Sequence, residues 1–390
     1  TGTSDGGFAS KSDVRSASTT IVKVGQYIDS NNDDGSVGTI LVDNLVIAAN
    51  RSTDFEGNAI NRSGNILGGF GGANADVDVL PTTSVTIGGD VTIHSDDIQI
   101  SALADTTSSL IEVDSHSGSL IVDAAGGDLD VNLEHDTQII FADSADVELT
   151  GDEDNPGVFE VVAGNSADLK VLGALANGAI AAGSNMLTKA KLSQFDSGIT
   201  IGDDVSISSV GDLSFGTYTE AILDVDSRAR VYGGLVSVPI ANGRAIVDAE
   251  NRIQVGADAS VSAVGDIALL AGQDHVASSL ADLPQTNYFE FDSRARAVSG
   301  GLVVVPEASA LAEVTAVNAV EIESGASIIS AQDVHLLTHE GRSILFADSR
   351  EYGYTNGVGG NTRNRVDNFV RIDGDVEVGT RNNQTLVIDA

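Results

Sequence analysis

The chain has 390 residues, enough for two or three ordinary domains or one long solenoid. Hydrophobic residues make up 42% of it, but aromatic residues only 4% and Trp is absent, so the core must consist of Val, Ile, Leu and Ala. The net charge of −37 opposes binding to nucleic-acid phosphates and anionic membranes. With no cysteine and no apolar run of about 18 residues, neither disulfides nor membrane insertion are expected.

Residue usage favours strands and turns over helices. Forty-three glycines, together with abundant Ser, Asp and Asn, interrupt every window before a helix of three turns could form. Asp outnumbers Glu by 41 to 16. This bias is typical of turns, where the Asp side chain accepts hydrogen bonds from nearby backbone amides. The composition therefore predicts an all-β protein.

The residue composition of the N-terminal part of the chain changes twice. Residues 1–39 are polar around one plausible strand at 20–27, which predicts a polar leader or extended arm. Residues 40–49 read as the first strongly apolar strand, and residues 50–80 read as a long irregular loop.

One segment of the leader could bind a metal ion. Asp29, Asn31 and Asp33 place oxygen atoms at alternate positions, as at the start of a calcium loop. A plain turn rich in Asp and Asn is the alternative, because Ile40 stands where a calcium loop has its bidentate Glu. The sequence thus allows bound Ca²⁺ and predicts no other cofactor. The six histidines are scattered, and His335 and His339 lie too far apart on a strand to share an ion.

A pattern of three short strands occurs four times, beginning at Val85, Ile199, Ile253 and Val320. Each strand alternates apolar and polar residues, which is typical of a half-buried strand, and tight turns join the three. Three strands in about 18–20 residues predict one coil of a parallel β-helix.

A longer repeat relates Asp226–Ala271 to Asp292–Thr338. In the residue-by-residue match, Asp226-Ser227-Arg228-Ala229-Arg230 corresponds to Asp292-Ser293-Arg294-Ala295-Arg296. Asp-Ser ends five apolar strands in all, at Asp114, Asp143, Asp226, Asp292 and Asp348, and is interpreted as a coil corner. The unequal intervals between these five predict loop insertions, placed at 151–158, 183–198, 273–287 and 351–368.

The strand–turn–strand rhythm at 199–215, 253–271 and 320–338 resembles the coils of filamentous-haemagglutinin-like bacterial surface proteins. The resemblance implies a right-handed parallel β-helix at the cell surface, acting as an adhesin stalk or fibre. The predicted fold is therefore all-β: a single elongated right-handed parallel β-helix (solenoid) with loop insertions and extended terminal segments. Its parts are the leader at 1–39, the β-helix at 40–350, and a Gly/Asn-rich loop with terminal strands at 351–390, a candidate assembly region.

The arginines allow two interpretations. Arg228 and Arg230, like Arg294 and Arg296, lie two residues apart and therefore project from one face of a strand. They could form a salt-bridge ladder within the chain, or a strip that binds an acidic face of a neighbouring subunit. Residues 350–390 are nearly balanced, with five Arg against six acidic residues. Arg363, Arg365 and Arg371 are therefore further candidates for contact between subunits.

The sequence favours a non-enzymatic extracellular structural protein that associates end to end with copies of itself into a cell-surface fibre, sheath or layer. One alternative is an adhesin segment whose loops bind glycans or another cell. A less favoured alternative is a polysaccharide lyase or hydrolase, which would need paired carboxylates in a cleft and usually aromatic platforms for sugars. No catalytic residue is assigned, because Trp is absent and Tyr and Phe do not cluster.

Overall fold

A computed structural model describes residues 8–25, 38–65, 68–89, 91–151, 156–276, 284–352, 360–372, 375–378 and 386–389. These residues are all-β, and they include no helix that is long and apolar enough to cross a membrane. The twenty strands of these residues form one sheet, which is open.

In chain order the strands are β1 Phe8–Val24, β2 Gly38–Asn65, β3 Gly68–Ile87, β4 Val91–Ser119, β5 Val122–Phe141, β6 Asp146–Leu149, β7 Phe159–Ile201, β8 Ser206–Ser209, β9 Leu213–Val255, β10 Ser260–Ala263, β11 Ile267–Ala271, β12 Tyr288–Gly300, β13 Val303–Val304, β14 Glu307–Ile322, β15 Ser327–Ser330, β16 Val334–Thr338, β17 Arg342–Tyr352, β18 Gly360–Ile372, β19 Asp375–Val378 and β20 Leu386–Asp389.

The named strands pair in parallel, each with the equivalent segment of the next coil, which is a solenoid-like arrangement. One column of stacked positions shows the period, because its successive members are far apart in the chain: Val24, Ile87, Phe141, Ile201, Val255, Ile322 and Ile372. The prediction that three short strands complete one coil is therefore wrong. The three short strands form only one part of a much longer coil.

The remainder of each coil lies where the sequence predicted loops. Residues 50–65 and 68–80 belong to β2 and β3, and residues 183–198 lie inside β7, so both predictions are wrong. Residues 360–368, within the predicted insertion at 351–368, belong to β18. The described residues of 151–158 and 273–287 do lie outside the named strands. The predicted strand at 20–27 begins much earlier, at Phe8.

In these long segments the chain runs outward and then doubles back. In β7, residues 163–178 form the outward segment and residues 181–199 the return segment, and other coils repeat this pair. The turn-back is fixed by short contacts: the Asn177 side-chain amide donates to the Gly183 carbonyl at 2.6 Å, and Ser237 Oγ donates to the Val231 carbonyl at 3.2 Å. Each coil thus has a two-layered arm with a tip.

The inward side chains form two main apolar clusters. One lies among the short strands and includes Ile93, Ile207 and Phe215, while the other lies between outward and return segments and includes Leu169 and Val247. Burying each such side chain contributes about 1.5–3 kcal/mol. A third, smaller cluster near the arm tips consists of alanines, among them Ala229 and Ala297.

Buried polar side chains lie at the boundary between the two main clusters. Asn251 and Asn318 share a register position, as the sequence repeat predicted, and the Asn251 side-chain amide donates to Asn318 Oδ1 at 3.0 Å. His135 lies there too, with Nε2 2.8 Å from Thr106 Oγ1. Burial is the main reason that the pKa of His135 falls to about 3, so it is a neutral structural residue.

Aspartates at two corners of the coil bind the backbone of the next coil. Asp143 Oδ1 accepts the Asp203 N–H at 3.0 Å, and Asp203 Oδ1 accepts the Ala257 N–H at 2.9 Å. At the other corner Asp212 and Asp266 accept in the same way from Asp266 and Asp333. The Asp bias does mark turns, as predicted, but the amides belong to residues 54 to 67 positions further along the chain.

Replacing Asp203 tests this corner ladder. We expect Asp203→Ala to lower the free energy of unfolding by about 1–3 kcal/mol, because the Ala257 N–H loses its acceptor. Asp203→Asn keeps an oxygen at the same place and should cost less than half as much. Denaturant unfolding followed by circular dichroism measures both. Equal losses in the two variants would show that charge, and not the hydrogen bond, is what matters.

Candidate interaction site

The arginine and aspartate side chains of the sequence repeat lie on the outer face of the outward segments. Residues 224–230 of β9 pair with residues 292–298 of β12, and residues 292–298 pair with residues 346–352 of β17. Outer and inner residues alternate along these strands, so Asp and Arg two residues apart share the outer face.

The register differs from the residue-by-residue match by two positions. Arg294 lies opposite Asp226, and Arg296 lies opposite Arg228. Further along the same repeat, Val303 lies opposite Val236 and Ser327 opposite Ser260, as the match predicted. A shift of two residues keeps every side chain on its own face, so the identical pentapeptides do not by themselves select a register.

Each of three arginines binds the aspartate two residues before it in its own strand. Arg228 Nε donates to Asp226 Oδ2 at 3.0 Å, and Arg350 Nε lies 2.6 Å from Asp348 Oδ2. Arg294 forms the equivalent ion pair with Asp292. For Arg228 and Arg294 these ion pairs agree with the first interpretation, a salt-bridge ladder within the chain. In the part of the chain that the structure describes, no such pair is found for Arg230 or Arg296. Contact between subunits stays a prediction.

The shift of two residues also sets the pattern between coils. Arg294 lies between Asp226 and Asp348 in one column, so charges alternate there, and the neighbouring column consists of Arg228, Arg296 and Arg350. Sequence reasoning missed Arg350, although Asp348-Ser349-Arg350 repeats the Asp-Ser-Arg of the other two copies.

The prediction that Asp-Ser marks a coil corner is wrong for four of its five occurrences. Ser115, Ser227, Ser293 and Ser349 lie within strands and are 0–1% exposed. Only Asp143-Ser144 lies at a turn, where Ser144 has a φ of 67°. The physical reason is the alternation of side chains along a strand, which turns the serine inward and the preceding aspartate outward without any corner.

The other predicted site residues are not brought together. Arg230 is exposed on the same outer face, two residues closer to the arm tip. Arg363, Arg365 and Arg371 occupy positions in β18 opposite Glu313, Thr315 and Glu321. Asp29, Asn31 and Asp33 lie outside the described residues. Within the described ranges no group of three or more His, Asp or Glu side chains is placed to hold a metal ion.

Arg228 and Arg230 offer a matched comparison for the ladder. We expect Arg228→Ala to cost about 1–2 kcal/mol of unfolding free energy, because it leaves Asp226, 7% exposed, without its guanidinium. Arg230→Ala should cost less than about 0.5 kcal/mol. Denaturant unfolding at low salt and at about 1 M NaCl measures both. Equal effects of the two substitutions would contradict the ladder.

An acidic column lies on the outer face of the return segments, where Asp136, Asp196 and Glu250 share a register position. Burial, assisted by the charges of Glu250, Asp136 and Asp248, raises the pKa of Asp196 to about 7. The notch beside it has a volume of about 130 Å³. Small-molecule sites usually measure roughly 300–1,000 Å³, so the notch is small for a sugar ring and its neighbours.

Asp196 makes stability depend on pH. Because its pKa is raised on folding, its contribution to stability is complete below about pH 4 and is lost as the pH rises through about 7. We expect Asp196→Asn to raise the unfolding free energy at pH 8 by about 1–2 kcal/mol, allowing for solvent screening, and to change little at pH 4. The exposed neighbour gives the control Asp136→Asn, for which a smaller gain is expected. A gain for Asp196→Asn that is independent of pH would contradict this assignment.

Comparison with known proteins adds no family. A scan against protein-family models, a search of curated proteins and a search of solved structures each returned no match.

Proposed function

We propose that this chain is a non-enzymatic structural protein whose copies associate end to end through the open edges of the sheet. The assembly would be an extracellular fibre, sheath or surface layer built on a right-handed β-helix. The observation that carries the proposal is that, among the described strands, those at both ends of the sheet pair on one side only and include partly buried apolar side chains. A strand edge without a partner is a template for pairing with another chain.

The N-terminal edge consists of β1 and β2. Among the described strands β1 pairs only with β3, and β2 only with β4. Inward-facing Val22, Val24, Ile40 and Leu45 pack against the core but are only partly buried, whereas their equivalents in the inner coils, such as Ile87 and Ile93, are 0% exposed. A further coil laid on this edge would bury them.

The C-terminal edge consists of β17, β18, β19 and β20, each paired on one side only among the described strands. Leu345 and Ala347 in β17 are partly buried core residues, as Val14 and Phe55 are at the other end. The two edges also match in register. The columns that end at Ile372, Val376 and Leu386 begin at Val24, Ile40 and Leu45.

The distribution of charge also supports contact at the ends. Residues 1–65 carry 8 acidic and 5 basic residues, and residues 350–390 carry 6 and 5, whereas residues 66–349 carry 43 and 10. Nearly all of the net charge of −37 therefore lies in the middle of the chain. Copies that meet end to end keep their most acidic parts apart, and salt or divalent cations screen the remaining repulsion.

The extracellular setting is part of the same proposal. It is supported by the resemblance of the short-strand pattern to filamentous-haemagglutinin-like coils, and by a strongly acidic surface that suits a medium rich in screening ions.

A proline at the N-terminal edge tests the proposal. The Val24 carbonyl accepts the Gly88 N–H at 2.7 Å, so the N–H and C=O of Val24 face β3. These groups alternate in direction along a strand, and the Thr19 N–H therefore points to the open edge. Thr19→Pro removes that donor without breaking a bond to β3, and Thr19→Ala is the matched control that keeps it.

Electron microscopy and light scattering in millimolar Ca²⁺ measure the outcome. We expect linear assemblies for the parent chain and for Thr19→Ala, and at least about ten-fold shorter assemblies for Thr19→Pro, since one edge can no longer pair fully. Dispersed monomers of the parent chain, or full-length assemblies of the proline variant, would refute end-to-end pairing through this edge.

A further inference from the structure

The tips of the arms form an exposed apolar surface that end-to-end association does not use. Successive tips lie at residues 117–122, 177–183, 231–236 and 299–305. Their backbones stack directly, since Val122 lies opposite Ala181, Ala181 opposite Val236, and Val236 opposite Val303. We call this surface, which runs across four coils, the apolar ridge.

Large side chains on the ridge are unusually exposed. Leu120 is 62% exposed, Tyr232 61%, Leu235 52% and Leu302 79%. The ten exposed Leu, Ile, Val and Tyr residues of these segments together present on the order of 1,000 Å² of surface, at roughly 150–200 Å² for a fully exposed residue. The largest apolar patch on a typical monomer is about 300–600 Å², so the ridge is large enough to mark an interaction site.

The ridge also carries no charge. The four tip segments contain no Asp, Glu, Lys, Arg or His, in a chain of which 20% is charged. A partner with a charged surface would have to lose the hydration of its charged groups here and gain no opposite charge in return. The occupant must therefore present an uncharged apolar surface of similar length.

We propose that the apolar ridge binds the same ridge of a second copy of this chain. Two ridges have the same rise of about 4.8 Å from coil to coil, so side chains of one can pack between those of the other along the whole contact. The area available on each copy is close to the roughly 800 Å² per partner of a stable symmetric dimer. Tip-to-tip contact also keeps the acidic outer faces of both arms apart.

This lateral contact is independent of the open edges, so the two can be tested separately. The full chain carrying Thr19→Pro, with its edge blocked, is compared with and without Leu235→Glu and Leu302→Glu. Val264→Glu is the matched control, because Val264 is 50% exposed but lies at the corner between β10 and β11. Circular dichroism and thermal melting verify that all variants are folded.

Sedimentation equilibrium at about 1–100 µM should show a dimer for the edge-blocked chain and for Val264→Glu, and at least about ten-fold weaker association for the ridge variant. The chain has no cysteine, so Leu235→Cys adds a unique probe. A bismaleimide should cross-link it into covalent dimers, and Val264→Cys should give none.

Three results would overturn the proposal. The first is an edge-blocked chain that stays monomeric across the whole concentration range. The second is dimerisation that survives the two glutamates. The third is ridge-dependent binding to neutral phosphatidylcholine vesicles without any copy-to-copy cross-link, which would assign the ridge to a lipid surface.

Discussion

Each coil is held in place by the parallel backbone ladder that it forms with the coils before and after it. Because the ladder is continuous from β1 to β20, every inward side chain stacks on the equivalent side chains of neighbouring coils, and it must pack against them. The column from Val24 to Ile322 contains only Val, Ile and Phe, whereas the column through Ala229 and Ala297 includes Leu175 and holds alanine in the next two coils. Stacking of β-branched and aliphatic side chains thus replaces the aromatic core of an ordinary domain.

The same ladder explains where the coil tolerates change. A residue added within a strand would move every later side chain to the opposite face, but a residue added at a tip or corner leaves the columns aligned. Coil length therefore varies while the corner bonds are kept: the bond between Asp143 and Asp203 spans 60 positions, and that between Asp266 and Asp333 spans 67. The tip within β9 and the tip between β12 and β13 show the same tolerance. Tyr232 pairs with Gly300 before the tip and Val236 pairs with Val303 beyond it, so the later copy is one residue shorter there.

Electrostatic interactions add to the stability that the backbone ladder provides. The corner aspartates are held by backbone N–H groups of the following coil, and the outward arginines pair with aspartates of their own strand. The Asp196 carboxyl resists ionisation, because its burial and, secondly, the charges of Glu250, Asp136 and Asp248 raise its pKa to about 7. A strongly acidic chain can stack its coils because many of its carboxylates accept hydrogen bonds from specific donors. Its ends have little net charge, and its arm tips contain no charged residue.

The amino-acid sequence by itself determined the all-β class, the stacked short strands, and the equivalence of Asn251 with Asn318 and of Asp266 with Asp333. These signals are strong because apolar alternation and turn residues are local, and they recur in every coil. Coil length and the arms could not be predicted in this way. Segments such as 183–198 contain two Gly, three Ser and three charged residues, and they form strands because neighbouring coils supply their ladder partners.

The register of the Asp-Ser-Arg copies could be learned only from the tertiary structure. A shift of two residues keeps the same alternation of inward and outward side chains, so the copies fit either register. Packing in distant columns selects the register that is observed. Likewise, only the tertiary structure shows that four of the five Asp-Ser pairs lie within strands and not at corners, with the serine facing inward and the aspartate outward. The apolar ridge, too, could not be predicted from the sequence. Its four short uncharged segments are ordinary turns individually, and they become a surface only when the coils stack them.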